Sequence, residues 1–350
     1  MTLRTRAERP WRGPARRLAI LVGAAVSGAA SACATVNTTG AGRLAVDGGD
    51  VARTSQTALA ATLPSLERYV EGLYLVAPLT GRAPPSAALL SSIDRVGAAM
   101  AARAQVMAEL ARAYGSFAAL AGYGAQDSVS AGLGALTGAI NAYAARVTPG
   151  AAPFTPASGG LLAIAGREVS GREQARLLNA ASRALRERVE RVRDLMRREV
   201  ALRTAVEEEL VAGARNNVRA FYRLHLLTPE ALLASQLDDY GLALDSVRVA
   251  QYSAASLVKR AAPPRQRAAL DSGVLAVVDR RARRRLDAQR ALVEATVGSL
   301  DALVAEHRAF ESAAPLTPAA VAEQLAIMRR YVEQLQPSST PAASGGSKSP

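Results

Sequence analysis

The chain has 350 residues, with 43 Lys and Arg against 30 Asp and Glu for a formal net charge of +13, one Cys, two His, and 49% apolar but only 4% aromatic residues. That apolar content can bury a substantial core, which excludes wholesale disorder, and one Cys excludes a disulfide framework. Ala, Leu and Val supply most of the apolar mass while Gly and Pro cluster in a few stretches, so helix is favoured over sheet.

Residues 1–17 carry Arg4, Arg6, Arg9, Arg12, Arg16 and Arg17 against the single acid Glu8, and an uncharged run follows from Leu18 to Ala32. A basic region, an apolar region and small residues, in that order, make a secretory signal. The run is shorter than the roughly 20 residues that cross a bilayer as a helix. The only cysteine comes next, and Ala30-Ser31-Ala32-Cys33 resembles the lipobox of bacterial lipoproteins. That resemblance implies that Cys33 becomes the lipidated, palmitate-bearing first residue, and Ala34 behind it resembles lipoproteins sent on to the outer membrane. Ala30-Ser31-Ala32 also fits an ordinary A-x-A cleavage site, which would leave Cys33 as a free N-terminal thiol. Removal of 1–32 takes away six Arg and one Glu, lowering the net charge of +13 by five to +8. Nucleic acid is not an expected partner of an exported chain; an anionic lipid or glycolipid would be drawn to it by a field that salt screens.

Residues 33–50 are small and Thr- and Gly-rich, the composition of a flexible tether. Helical stripes then begin: Leu59, Leu63, Leu66, Val70 and Leu73; Leu89, Ile93, Val96, Met100, Met107, Leu110, Tyr114 and Phe117; and Val129, Leu133, Leu136, Ile140, Tyr143 and Val147. These form the N-terminal part of a bundle over 51–147. Pro149, Gly150, Pro153, Pro156, Gly159 and Gly160 mark a loop over 148–160. The long-helix part spans 161–336. From about Ser170 to His225 no proline interrupts the stripe of Leu178, Leu185, Val189, Val192, Met196, Val200, Val206 and Leu210, which predicts a helix of roughly 80 Å. Thr228-Pro229 and Thr317-Pro318 read as helix starts, with a helix near 229–261 and another long one from about Arg265 to Ser312. Residues 337–350 are Ser-, Pro- and Gly-rich and are expected to be disordered. The predicted fold is all-α, an elongated antiparallel bundle with long coiled-coil-like helices.

The chemistry-bearing residues are few. His225 and His307 lack the spacing of a zinc site and are read as structural, His307 within the bundle and His225 at a helix C-terminus. No G-x-S-x-G elbow, P-loop or dinucleotide fingerprint is present, so neither enzymatic activity nor a metal or cofactor is expected. Glu207-Glu208-Glu209 reads as solvated helix surface. Arg280, Arg281, Arg283, Arg284 and Arg285 crowd two helical turns, which predicts either bridges to neighbouring acids or a patch for an anionic ligand. Together these readings predict an outer-membrane lipoprotein facing the periplasm, held by lipid at Cys33 and acting as a non-enzymatic scaffold or interaction module for an envelope protein. The alternative is a membrane-active helical protein resembling pore-forming toxins, in which the apolar 129–147 segment, with its Gly134 and Gly138, or the 149–160 loop inserts.

Overall fold

The computed structural model describes residues 15–81, 83–122, 126–157, 171–224 and 264–335, with side chains from Thr38 onward. The regular elements among those residues are all helices, with no strand: α1 (Ala15–Ala60), α2 (Leu63–Leu79), α3 (Ala87–Ala121), α4 (Gln126–Val147), α5 (Gly171–Arg223), α6 (Pro264–Glu311) and α7 (Pro318–Leu335). The all-α expectation therefore holds. His225, the helix expected over 229–261 and the tail 337–350 lie outside the described residues.

The two long helices stop within two residues of where the sequence pattern stops. Ser86 caps α3 by accepting from the Leu89 N–H at 3.2 Å, and Pro318 opens α7 where its missing N–H costs nothing. Pro64 separates α1 from α2, although the Leu59 to Leu73 stripe reads as one helix, because proline has no N–H to continue the ladder.

Contact residues fix the helix directions. Cross-helix partners Arg186 with Glu311, Arg193 with Asp301, and Arg219 with Asp279 run in opposite senses, so α5 and α6 are antiparallel over about 50 Å of helix. α4 and α5 are parallel instead: Arg188 bonds the Leu133 carbonyl while Tyr143, further along α4, bonds Glu199, further along α5. Residues 148–157 lead out of α4 into the connection between the two. Its described part is held in place, since Asn141 Oδ1 accepts from the Phe154 N–H at 2.6 Å and Asn141 Nδ2 donates to the Phe154 carbonyl at 3.2 Å.

The expected tether over 33–50 is not a tether where its side chains are described. Ala41 and Leu44 are fully buried in α1 and join one core with Leu110, Phe117, Leu136, Ile140, Leu185 and Leu303. The small residues that suggested a linker form a close-packing face, with Gly40, Ala41, Leu44, Ala45, Gly48 and Ala52 at helical spacing. A Cβ on Gly48 would collide with the Tyr114 ring, whereas one on Gly42 would meet nothing within 4 Å. Residues of both the 51–147 and the 161–336 parts of the bundle contribute to this core. Among the residues with described side chains no helix is long and apolar enough to cross a membrane, and Val129, Leu133, Leu136 and Ile140 of α4 are buried.

Replacing Gly48 by Ala should destabilise the fold by about 1–3 kcal/mol through overpacking, despite alanine's better helix propensity. Gly42→Ala, which meets no neighbour, should instead stabilise it by up to about 1 kcal/mol. Urea denaturation of both variants checks the pair of signs.

Candidate functional site

Three polar assemblies lie among the helices. The first surrounds His307, fully buried on α6. Its Nε2 lies 2.8 Å from the Tyr114 hydroxyl of α3 and its Nδ1 2.8 Å from Ser182 Oγ of α5. A neutral ring satisfies both contacts. Tyr114 donates to Nε2, Nδ1–H donates to Ser182, and the Ser182 hydroxyl donates on to Glu311 Oε1 at 3.4 Å. Burial, with the Arg186 charge adding to it, pulls the imidazole down to about 3, and burial pushes the Tyr114 phenol up. A serine, a histidine and a tyrosine are thus aligned, and all three are fully buried. The structural reading of His307 is the one its geometry supports.

The second assembly replaces apolar residues in the α5 seam. The stripe Leu185, Val189, Val192 and Met196 continues at the same spacing through Glu199, Arg203 and Glu207 to Leu210, and all of these are buried. Val200 and Val206, assigned to the seam from sequence, sit half-buried at its flanks. Arg103 of α3 enters the same layer and lies 3.4 Å from Glu199, which also accepts from the buried Tyr143 hydroxyl. Arg203 Nε donates to Glu207 Oε1 at 2.9 Å. Burial and then the nearby Arg103 charge lower the Arg203 pKa. The reading of Glu207 as solvated surface is therefore wrong: only Glu208, paired with Arg290, and Glu209, bonded by Tyr69, face outward. A cavity of about 40 Å³ adjoins this layer, room for water beside the otherwise unbonded Arg103 Nε and Glu207 Oε2.

The third assembly is a groove of about 270 Å³ between α2, α5 and α6. Its floor is apolar, with Leu210, Val211, Ala214 and Val218 from α5 and Val278 and Ala282 from α6. Four arginines line it as well: Arg68, Arg215, Arg281 and Arg285. The run singled out from sequence thus divides. Arg281 and Arg285 reach the groove, while Arg280, Arg283 and Arg284 are exposed outside its lining. Arg285 donates to Ser65 Oγ at 2.7 Å, and burial followed by the neighbouring Arg68 charge lowers its pKa. Asp279 lies against Arg219 and, at 4.0 Å, against Arg215 Nε, which is buried without a hydrogen bond. Arg68 and Arg215 were not visible as site residues, because their helices converge on the groove only in the folded chain.

Among the described residues no group of three His, Cys, Asp or Glu side chains is placed to hold a metal ion. Cys33 lies in the part of α1 whose side chains are not described. No protein-family model matches the chain, and no curated protein or solved structure matches it significantly.

Three variants test the buried assemblies. The folded-state pKa of His307 is depressed, so the unfolded chain binds more protons between pH 6.5 and about 3, and stability should fall with pH across that window. The loss is on the order of 4 kcal/mol. Asp47 and Glu306, whose carboxyls burial raises, act with the opposite sign, so the imidazole is isolated by comparing wild type with His307→Gln. Urea midpoints at pH 7 and pH 4 should differ much less in the variant. Glu199→Ala should cost about 3–5 kcal/mol because it strands Arg103. The double change Arg103→Met with Glu199→Leu should recover most of it in thermal melts.

Proposed function

We propose that this chain is an exported, lipid-anchored scaffold of the cell envelope that presents a stiff helical body to a partner, held at the outer membrane and facing the periplasm. The observation that carries the reading is the pairing of α5 and α6. Their register is set by Arg186 with Glu311, Arg193 and Arg197 with Asp301, Arg290 with Glu208, and Arg219 with Asp279. Individually such partly exposed pairs contribute little. Repeated along two helices of 53 and 48 residues, with apolar and charged seam layers between, they favour one register over slipped alternatives. A body of that length is suited to spanning distance and offering side surfaces.

The anchor rests on the order of the leader and on the placement of Cys33, the chain's sole cysteine, directly after Ala32. Among the residues with described side chains the first fully buried one is Ala41, so only a short segment separates the proposed lipid from the core. A short mount holds the bundle close to the membrane, unlike a long linker.

Metabolic labelling with an alkyne-bearing palmitate checks the anchor. Wild type should incorporate label and sediment with membranes, and Cys33→Ser should lose the label while keeping its helical circular dichroism. Equal labelling of the two, or none in wild type, would sink the lipid anchor.

A further inference from the structure

We infer that the groove between α2, α5 and α6 is a binding site for a long-chain fatty acid anion, its acyl chain laid on the apolar floor and its carboxylate held by the arginines at the edge. The site is independent of the lipid proposed for Cys33 and of the scaffold role.

Size and lining set the class of ligand. A volume of about 270 Å³ lies near the lower end of ligand pockets, which run from about 300 to 1,000 Å³. That accommodates one acyl chain and not the two of a diacyl lipid. Leu210, Val211, Ala214, Val218, Val278 and Ala282 offer a surface that a small inorganic ion would leave wet and unused. The hydrophobic effect therefore asks for an apolar occupant of extended shape, and each buried methylene contributes about 0.8 kcal/mol.

Charge sets the head group. Arg68, Arg215, Arg281 and Arg285 come from three helices, and no Asp or Glu lines the groove among the described residues. Asp279, just outside, is shared between Arg215 and Arg219. Burial and then the nearby Arg68 charge disfavour the charge on Arg285, and the hydrogen bond that Arg285 makes to α2 is to the neutral Ser65 hydroxyl. Arg68 and Arg285, both lining the groove beside its apolar floor, with Arg215 Nε buried without a hydrogen bond, form a cradle that a carboxylate completes with charge-assisted hydrogen bonds. An amphiphile that lacks the anion would leave that repulsion in place. An anion that lacks the chain would leave the floor exposed.

The test uses the full chain reconstituted in phosphatidylcholine vesicles containing palmitic acid with a diazirine in its acyl chain, irradiated and mapped by peptide mass spectrometry. Labelling should concentrate within 210–218 and 278–285. Excess palmitate should compete, whereas hexadecanol and inorganic phosphate should not. The double variant Arg68→Gln with Arg285→Gln should reduce labelling at least tenfold. Ala214→Trp, which fills the groove and keeps every arginine, should reduce it as strongly. Circular dichroism melts establish that the variants fold; should the arginine pair fail to fold, Ala214→Trp and the competition in wild type decide. Labelling spread over the whole chain, labelling unchanged by the substitutions, or equal competition by hexadecanol would overturn the assignment. So would competition by phosphate alone, or an unlabelled groove, which would mean that another part of the chain fills it.

Discussion

The bundle is organised around one buried contact, the hydrogen-bonded ring of His307. Tyr114 of α3 bonds one nitrogen, Ser182 of α5 bonds the other, and Gly48 of α1 packs closely against the Tyr114 ring. Four helices therefore meet at a single level, α3, α5 and α6 placed by hydrogen bonds and α1 by close packing. With aromatics at only 4% of the chain, large side chains are scarce, and this level concentrates them: Phe117 lies 6.5 Å from the His307 ring and meets Phe310 edge-on at 6.3 Å. A neutral imidazole suits the position because it can donate at one nitrogen and accept at the other, which a protonated ring could not do without leaving Tyr114 poorly matched. Desolvation that holds the ring uncharged is thus the condition on which the four-helix junction stands.

From that level α5 acts as a spine with three successive zones. Leu178 to Met196 packs in the main core; Glu199, Arg203 and Glu207 form a charged layer with Arg103; Leu210 to Val218 floors the arginine-lined groove. Replacing the charged layer with apolar residues would extend the core without a break, but it would also make successive turns of α5 interchangeable. A wrong register of α3 against α5 would separate Arg103 from Glu199 and bury both uncompensated, at a cost of several kcal/mol. The layer therefore resists sliding more than it adds stability. The outer ion pairs between α5 and α6 act in the same sense at lower energy.

Much of the framework was legible in the sequence. The 3.6-residue stripes and the Thr317-Pro318 start located α3 to α7 because amphipathic periodicity and proline geometry are local properties. The structural role of His307 was legible for the same reason, since Val304 and Phe310 share its face. What failed did so through composition. Small residues at 38–50 suggested a tether, yet small residues at helical spacing also make the tightest helix contacts, and Gly48 against Tyr114 is that second case. Glu199, Arg203 and Glu207 lie on the same stripe as Val192 and Met196, so their burial was visible as an unbroken spacing had charge not been equated with solvent. The groove was half legible. Five arginines in two turns left both neighbouring acids and an anionic ligand open, and the division that sends Arg281 and Arg285 inward and brings Arg68 and Arg215 to meet them depends on where α2 crosses α5 and α6.

Helix directions relate the proposed anchor to the proposed groove. α1 starts its described packing beside Phe310, with Gly40 at van der Waals distance from that ring, and α2 continues in the same sense along α5, where Tyr69 packs against Gly213 and bonds Glu209. Ala41 and Ser65 are therefore separated by about 36 Å of rise along helices that share one direction. A lipid at Cys33 would fix the end of the bundle near Phe310, and the arginine-lined groove would stand toward the opposite end, away from the anchored surface. The Tyr69 contact gives this separation a structural cause. A side chain on Gly213 would collide with the Tyr69 ring, so the close crossing that seats α2 on α5 also forms the groove wall and fixes its distance from the mount.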